Sequence, residues 1–308
     1  MSTARSPRIR NLGEDSLVAR LAALCPSAPG LKVGPGDDCA VIDRHGRGAL
    51  ELLKTDTIVE GVHFLPDAPP RQIGWKALAR VASDFAAMGG RPEHALVTLA
   101  ISAERPVAWV ENLYRGLRRC AERCACSIAG GETTSLPPDA PVLISISALG
   151  TVARRRLVLR SGGKPGDILA VTGRLGGSME SGRHLRFDPR LEEAAWLVEA
   201  SSRRPRAMMD LSDGLAMDLP RLARASECGF ELDPASVPRH RGCSLAQALG
   251  DGEDYELLMA VSPEKWNRLA AAWPERFPRN PLSPIGKFTP KSAGMPNLKG
   301  GWEHFALR

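Results

Sequence analysis

The residues of this chain that could do chemistry are acids, and many of them stand beside glycine at the end of an apolar run. Asp37-Asp38 follows Gly36, Asp56 follows Thr55, and Glu132 follows Gly130-Gly131. Asp210 and Asp213 frame the string Asp-Leu-Ser-Asp-Gly, and Glu253-Asp254 follows Gly252. Asp84 differs, because it falls inside a helical pattern beside Phe85 and close to Val81 and Met88. A carboxylate on an apolar helix face is costly unless it is paired or coordinates a metal. Taken singly, each acid has a plain structural explanation. Asp-Gly marks a turn, Ser-Asp can cap a helix, and Asp84 can pair with Arg80 one turn earlier. The set is harder to explain that way. Carboxylate oxygens are what hard divalent cations such as Mg²⁺ prefer, and several converging carboxylates repel one another unless cations hold them together. The chemistry this predicts is a multi-metal phosphate site, in which cations bridge phosphate oxygens and offset developing charge.

The familiar nucleotide motifs do not accompany these acids. There is no G-x-x-x-x-G-K-S/T, no protein-kinase catalytic set and no G-x-G-x-x-G opening a helix. The glycine-rich string SGGKPGD (161–167) has the wrong spacing and reads as a hairpin turn. A chain like this uses ATP, if at all, on a less common fold.

The elements that must position the acids follow from periodicity. Residues 14–24 read as a short amphipathic helix with Leu17, Val18, Leu21 and Leu24 on one face. Residues 49–54 and 95–101 read as strands. Between them, 71–88 reads as a helix with Ile73, Ala77, Val81 and Phe85 recurring every four residues and a glycine stop at Gly89-Gly90. Pro106 opens a second long helix to about Cys124, residues 127–129 enter a Gly130-Gly131 turn, and 142–152 alternates like a strand. Further on, 168–172, 206–209 and 255–261 read as strands, and 190–202 and 213–227 as helices. Near residue 150 the composition turns Arg-rich, which sets an expected division into 1–150 and 151–308.

Composition narrows the partners. The chain has 308 residues, 43% hydrophobic and 25% charged, as expected of a soluble globular protein. Its formal charge of +6 raises the question of nucleic acid. The basic residues are scattered, the longest run being Arg154-Arg155-Arg156, and only 5% of residues are aromatic, so no nucleic-acid partner is expected. No stretch approaches the roughly 20 apolar residues that span a bilayer, so no membrane partner is expected either. The start MSTARSPRIR lacks an apolar segment and reads as no secretory signal. Seven cysteines suggest no disulfide framework, and Cys120, Cys124 and Cys126 lack the fourth ligand a zinc site wants. A reducing cytoplasm is the expected compartment.

Seven strings in order identify what the acids belong to. GPGDDCAVI (34–42), KTDTIVEGVHF (54–64), WKALARVASDFAAMGG (75–90), GGETT (130–134), LRSGGKPGD (159–167), DLSDG (210–214) and GEDYEL (252–257) together closely resemble the thiamine-monophosphate kinase family. That family sits in the superfamily of aminoimidazole ribonucleotide synthetase and selenophosphate synthetase. The resemblance runs from about residue 13 to Trp302-Glu303-His304-Phe305. It implies transfer of the γ-phosphoryl group of ATP to thiamine monophosphate, giving thiamine diphosphate and ADP. It implies that Asp38, Thr55, Asp56, Asp84, Glu132, Asp210 and Asp213 stand where the family binds Mg²⁺, with Asp56, Asp84, Asp210 and Asp213 central to catalysis. It places Tyr114, Gly131, Arg160 and Ser212 at contacts to ATP, and His63, Glu253 and Trp302 at contacts to the thiamine substrate. It also implies an α+β fold in two parts: an N-terminal mixed sheet with helices, which joins a second subunit into a barrel across a homodimer, and a C-terminal α/β sandwich-like part.

Three positions depart from the family pattern. Lys54 stands where a small Ser or Thr is usual, and a protonated lysine cannot ligate Mg²⁺. Glu132 replaces the common Asp, and Asp251-Gly252-Glu253 replaces Gly-Gly-Glu. Relatives of the same superfamily, selenophosphate or aminoimidazole ribonucleotide synthetase-like enzymes, form the alternative. Residues 1–33 hold one cysteine, Cys25, on no glycine-rich segment, unlike what a selenophosphate synthetase is expected to carry, and the end Phe305-Ala306-Leu307-Arg308 lacks the cysteine expected of a hydrogenase-maturation relative. Both features favour the thiamine-phosphate branch.

Overall fold

The structure is a computed structural model that describes residues 8–44, 46 and 48–305. The readings of the first ten residues and of the last four therefore rest partly on residues 1–7 and 306–308, which lie outside the described residues.

The chain folds as α1 (Glu14–Ala22), β1 (Leu31–Val33), β2 (Ala40–Ile42), β3 (Ala49–Val59), α2 (Pro70–Ala87), β4 (Arg91–Ser102), α3 (Val107–Cys124), β5 (Ser127–Leu136) and β6 (Leu143–Ala153). It continues through β7 (Ile168–Thr172), α4 (Leu191–Glu199), β8 (Ala207–Asp210), α5 (Leu215–Ala225), β9 (Cys228–Leu232), α6 (Leu245–Gly250), β10 (Leu257–Val261), α7 (Pro263–Arg276) and β11 (Leu282–Pro290). The strands form two sheets. The first is ordered β1-β2-β3-β6-β4-β5, the second β8-β10-β7-β11-β9. Among the strands of the described residues only β4 and β5 pair in parallel, joined by the α3 crossover that such a pair requires. This is the α+β architecture expected.

Helix α2 lies between the sheets. Pro70 opens it at its first turn and Gly89, at φ 72°, follows its end. It touches β3, β4 and β6 of the first sheet and β8 of the second. Thirteen of its eighteen residues are buried, among them Lys76, Ser83 and Asp84. The sequence shows one apolar face because the other buried face is built from alanines and from polar groups that serve the site. Beyond α2, one continuous apolar core runs from the first sheet through Leu197, Met208 and Leu257 to Trp273. A second core covers the other face of the second sheet, around Met209, Leu219, Leu258 and Phe288.

Several expectations need correction. Gly130-Gly131 is no turn. The strand runs straight through it, with Ala129 as the extra residue of a bulge against Ala95 and Leu96. A Cβ on Gly131 would meet the Val97 carbonyl oxygen at 1.9 Å, so the glycine serves close strand pairing. The apolar stripe of α1 is not buried: Leu21 is 53% and Val18 46% exposed. The sequence reading assigns no element to 263–290. There α7 starts on Pro263 and contains Pro274, and β11 carries Pro284 beside a register shift. These prolines break both periodicities. Cys120 and Cys124 are buried free thiols 4.0 Å apart on α3, and all seven cysteines are free. No described helix is long and apolar enough to cross a membrane.

Candidate active site

Asp38, Asp84 and Asp210 arrive from three places in the chain. Asp38 follows the Gly36 turn before β2, Asp84 sits near the end of α2, and Asp210 ends β8. All three are buried, and each offers a carboxylate oxygen within 4.8 Å of the others. Asp84 and Asp210 line a cleft of ≈ 630 Å³, with the fully buried Asp38 beside them, and the cleft walls also include Asp37, Lys54, Asp56, Arg80, Arg160, Ser212, Asp213 and α1.

Each carboxylate is held in place. The Asp210 Oδ2 accepts a hydrogen bond from Ser83 Oγ at 2.6 Å. Arg160 donates through Nε to Asp38 Oδ1 at 3.1 Å, and its backbone N–H reaches Asp37 Oδ2, also at 3.1 Å. The other Asp38 oxygen, Oδ2, is buried and accepts nothing. A buried carboxylate oxygen without a partner, on a residue clustered with two further carboxylates, fits a hard divalent cation. Burial pushes the Asp210 carboxyl up to about 6, with Asp38 adding to the effect. Burial and Asp38 likewise raise Asp37 to about 6.

Strand alternation decides what β3 contributes. Residues two apart share a face, so Lys54 and Asp56 both line the cleft while Thr55 points outward and is exposed. The Thr55 hydroxyl accepts instead from Ser147 Oγ at 3.0 Å on the neighbouring strand. Lys54 Nζ lies 2.7 Å from Asp84 Oδ1, and Arg80 Nε lies 3.1 Å from Asp56 Oδ2. The expected i, i+4 pair of Arg80 with Asp84 is thus replaced by two pairs that cross from α2 to β3. Burial alone would raise the Asp56 carboxyl, but Arg80 and Lys54 together hold it below its ordinary value.

The second sheet supplies a wall stitched from three separate segments. Leu211 N–H donates to the Glu256 carbonyl, Glu253 N–H to Ser212, and Trp302 N–H to Asp213, at 2.7–2.8 Å. Asp218, fully buried on α5, accepts from the backbone N–H groups of Ser212 and Asp213 at 3.1 and 3.0 Å. Arg221 pairs with both Asp213 and Asp218. Glu253 and Tyr255 adopt positive φ, 58° and 51°. A Cβ on Gly252 (φ 71°) would lie 2.9 Å from the Ser212 carbonyl. Strain of this kind persists where the surroundings over-determine it, commonly at functional sites.

A second cavity of ≈ 110 Å³ adjoins the cleft and shares Arg80, Ser212, Asp213, Tyr255 and His304 with it. His63, Glu253 and Trp302 also line it. The His63 ring is buried, its Nδ1 accepts from Val59 N–H at 3.1 Å, and it lies 5.6 Å from the His304 ring. Burial, with Arg80 and Lys76 nearby, pushes its pKa down to about 3, so it stays neutral. Trp302 packs edge-on to His304 at 5.9 Å.

The structure thus gathers Asp38, Asp56, Asp84, Arg160, Asp210, Ser212 and Asp213 around one cleft, with His63, Glu253 and Trp302 around the adjoining cavity. It does not bring Thr55, Tyr114, Gly131 or Glu132 there. Thr55 is turned away by the strand period, Tyr114 is half-buried on α3, and Gly131 and Glu132 lie on exposed edge strand β5. One cation, Lys76, escaped the sequence reading, and Arg80 pairs with Asp56 rather than with the expected Asp84. Lys76 and Arg80 precede Asp84 by eight and four residues, which puts all three along one face of α2. That spacing was the available signal.

The chain is similar to known proteins over most of its length. Residues 36–152 match the AIR synthase related protein N-terminal domain, and 164–294 its C-terminal domain. A Rhodopirellula baltica protein named thiamine-monophosphate kinase is 39% identical over 82% of this chain and 83% of its own length. The Escherichia coli K12 protein of the same name is 33% identical over 96% of this chain and 98% of its own. A solved structure described as AaThiL complexed with AMPPCP and TMP covers 98% of this chain and 100% of that one, at 30% identity and a TM-score of 0.83.

Proposed function

This chain belongs to the thiamine-monophosphate kinase family, and we propose that it transfers the γ-phosphoryl group of ATP to thiamine monophosphate, releasing thiamine diphosphate and ADP. The observation that carries the reading is the buried trio Asp38, Asp84 and Asp210, set where the two sheets meet and next to a smaller cavity. The relative bound to AMPPCP and TMP supports the choice of the two ligands.

Asp38, Asp56, Asp84, Asp210 and Asp213 would hold Mg²⁺, which supplies charge compensation to phosphate oxygens when bound. The acceptor is a phosphate monoester with a second pKa near 6, so its attacking oxygen is already anionic at neutral pH. No general base is needed, in keeping with a His63 that stays neutral and accepts a backbone hydrogen bond. What remains for the protein is to bring two anionic groups into line. Arg160, fixed on Asp38, offers its guanidinium to the nucleotide phosphates beside Ser212. Glu253 and Trp302 present a carboxylate and an aromatic face to a cationic heteroaromatic substrate. Transfer is direct and in line, without a phosphoenzyme.

The reading extends to the assembly. Residues 1–150 form the metal-binding and dimerisation part, and 151–308 complete the ATP and substrate site. The outer face of the first sheet carries Leu53 and Leu96, 46% and 51% exposed, beside the uncovered β5. A second copy in a homodimer would cover that face; a stable monomer in sedimentation at micromolar concentration would overturn the dimer. Seven free thiols suit a cytoplasmic location.

The test is incubation with ATP, Mg²⁺ and thiamine monophosphate, with products separated by chromatography. Thiamine diphosphate together with ADP is expected. Inorganic phosphate without thiamine diphosphate would sink the assignment, and a phosphorylated protein on the pathway would sink direct transfer.

A further inference from the structure

Lys54 stands on the cleft-facing side of β3, two residues from Asp56, and its Nζ lies 2.7 Å from Asp84 Oδ1. An ammonium that close to a carboxylate oxygen occupies ground on which a metal would otherwise be coordinated. The pair is sheltered: the Lys54 side chain is 24% exposed and that of Asp84 9%. Side-chain cations are shared unevenly among the carboxylates of the site. Asp38 Oδ1 is held by Arg160, Asp56 by Arg80 and Asp84 by Lys54. Among the described residues the Asp210 carboxylate accepts from the neutral hydroxyl of Ser83, and Asp38 Oδ2 is buried with no partner. The unspent anionic oxygens therefore sit on the Asp38–Asp210 side of the cluster, while the Asp84–Asp56 side is already served by side-chain cations.

We propose that Lys54 is a built-in monovalent cation that takes the place of one divalent ion in this cleft, so that Asp84 and Asp56 ligate one ion fewer than they would beside a neutral residue at position 54. The Lys54 ammonium is paired with Asp84 at 2.7 Å and lines the same cleft as Asp56. Hard-cation sites are built from several oxygen ligands, and a primary ammonium both repels a second cation and consumes the Asp84 oxygen that would bind it. The inference rests on the metal-holding part of the proposed function, and goes beyond it by assigning a residue that limits how many ions the site takes.

The test counts metal without turnover. The full-length wild type, Lys54→Thr, Lys54→Gln and Lys54→Arg are each titrated with Mn²⁺ alone, free ion being read by electron paramagnetic resonance and folding checked by circular dichroism. The expected result is one additional Mn²⁺ per chain in Lys54→Thr or Lys54→Gln, and the wild-type number in Lys54→Arg. Two neutral variants are used so that one that fails to fold does not remove the test. The same number, or fewer, in the folded neutral variants as in the wild type overturns the inference while leaving the kinase reading in place. No bound Mn²⁺ in any of the four overturns the metal site itself, and the inference with it.

Discussion

Lys76 and Glu253 form an ion pair that ties the helix between the two sheets to the wall of the smaller cavity. The Lys76 side chain is fully buried, pairs with Glu253 Oε2 and donates to the His63 carbonyl at 2.6 Å. Burial pushes its pKa down to about 8, against the pull of Glu253. Removing one partner of such a pair leaves an uncompensated buried charge, which costs about 3–5 kcal/mol. Lys76→Met is therefore expected to lose stability of that order in urea unfolding. It should also raise KM for thiamine monophosphate more than KM for ATP, because Glu253 lines the smaller cavity. An unchanged urea midpoint together with unchanged KM values would show that the pair neither supports the fold nor sets the cavity wall.

Asp210→Asn tests the carboxylate trio with the least change of shape. Asn keeps an oxygen that can accept from Ser83 Oγ but removes the charge. Turnover should fall by about three orders of magnitude, as for loss of a group acting chiefly on the transition state, while thermal unfolding stays within a few degrees of wild type or improves. Near-wild-type kcat in Asp210→Asn would remove Asp210 from the catalytic set.

Parts of this molecule were legible in the sequence and others were not, for identifiable reasons. Helix α2 shows itself through Ile73, Ala77, Val81 and Phe85, and β7 through an unbroken apolar run over Ile168–Thr172. The convergence of Asp38, Asp84 and Asp210 follows from no local pattern, because it requires the packing of two sheets against α2. The glycine pair at 130–131 carries a turn signal that parallel pairing with β4 overrides. Thr55 reads as a ligand within a motif, yet the two-residue period of β3 turns its side chain away. Conversely, Lys76 was hidden because charged residues on a helix normally face water, whereas α2 has almost no face in water.

Asp254 gives a stability prediction whose sign depends on pH. It is buried, accepts from Gly176 N–H at 3.1 Å through both oxygens and pairs with Arg183 at 2.8 Å. Burial nevertheless raises its carboxyl to about 7, the Gly176 N–H and Arg183 opposing. A carboxyl raised in the fold above its unfolded value of 3.8 contributes stability below pH 4 that is lost as pH rises through about 7. Relative to Asp254→Asn, the wild type should match at pH 4 and fall behind by up to about 4 kcal/mol above pH 7. Guanidinium unfolding of the two proteins at pH 4, 6 and 8 measures the difference, and a constant gap across the three would refute the raised carboxyl.

Trp302 separates the two substrates. Its backbone N–H is tied to Asp213 at 2.8 Å, while its ring lines the smaller cavity with His63 and Glu253. Truncating it leaves the tether in place and removes the aromatic surface together with the Nε1–H bond to His304 Nδ1 at 3.3 Å. Stacking against a cationic ring contributes about 1–2 kcal/mol in a desolvated site, so Trp302→Ala should raise KM for thiamine monophosphate by roughly 5–30-fold, since each 1.4 kcal/mol is tenfold. Trp302→Phe should recover much of that loss. KM for ATP and Mn²⁺ binding should stay at wild-type levels, because the carboxylate trio lies in the larger cleft, which the Trp302 ring does not line. If Trp302→Ala weakened ATP and thiamine monophosphate equally, the aromatic ring would be holding the wall between the cavities, and its assignment to the thiamine substrate would fail.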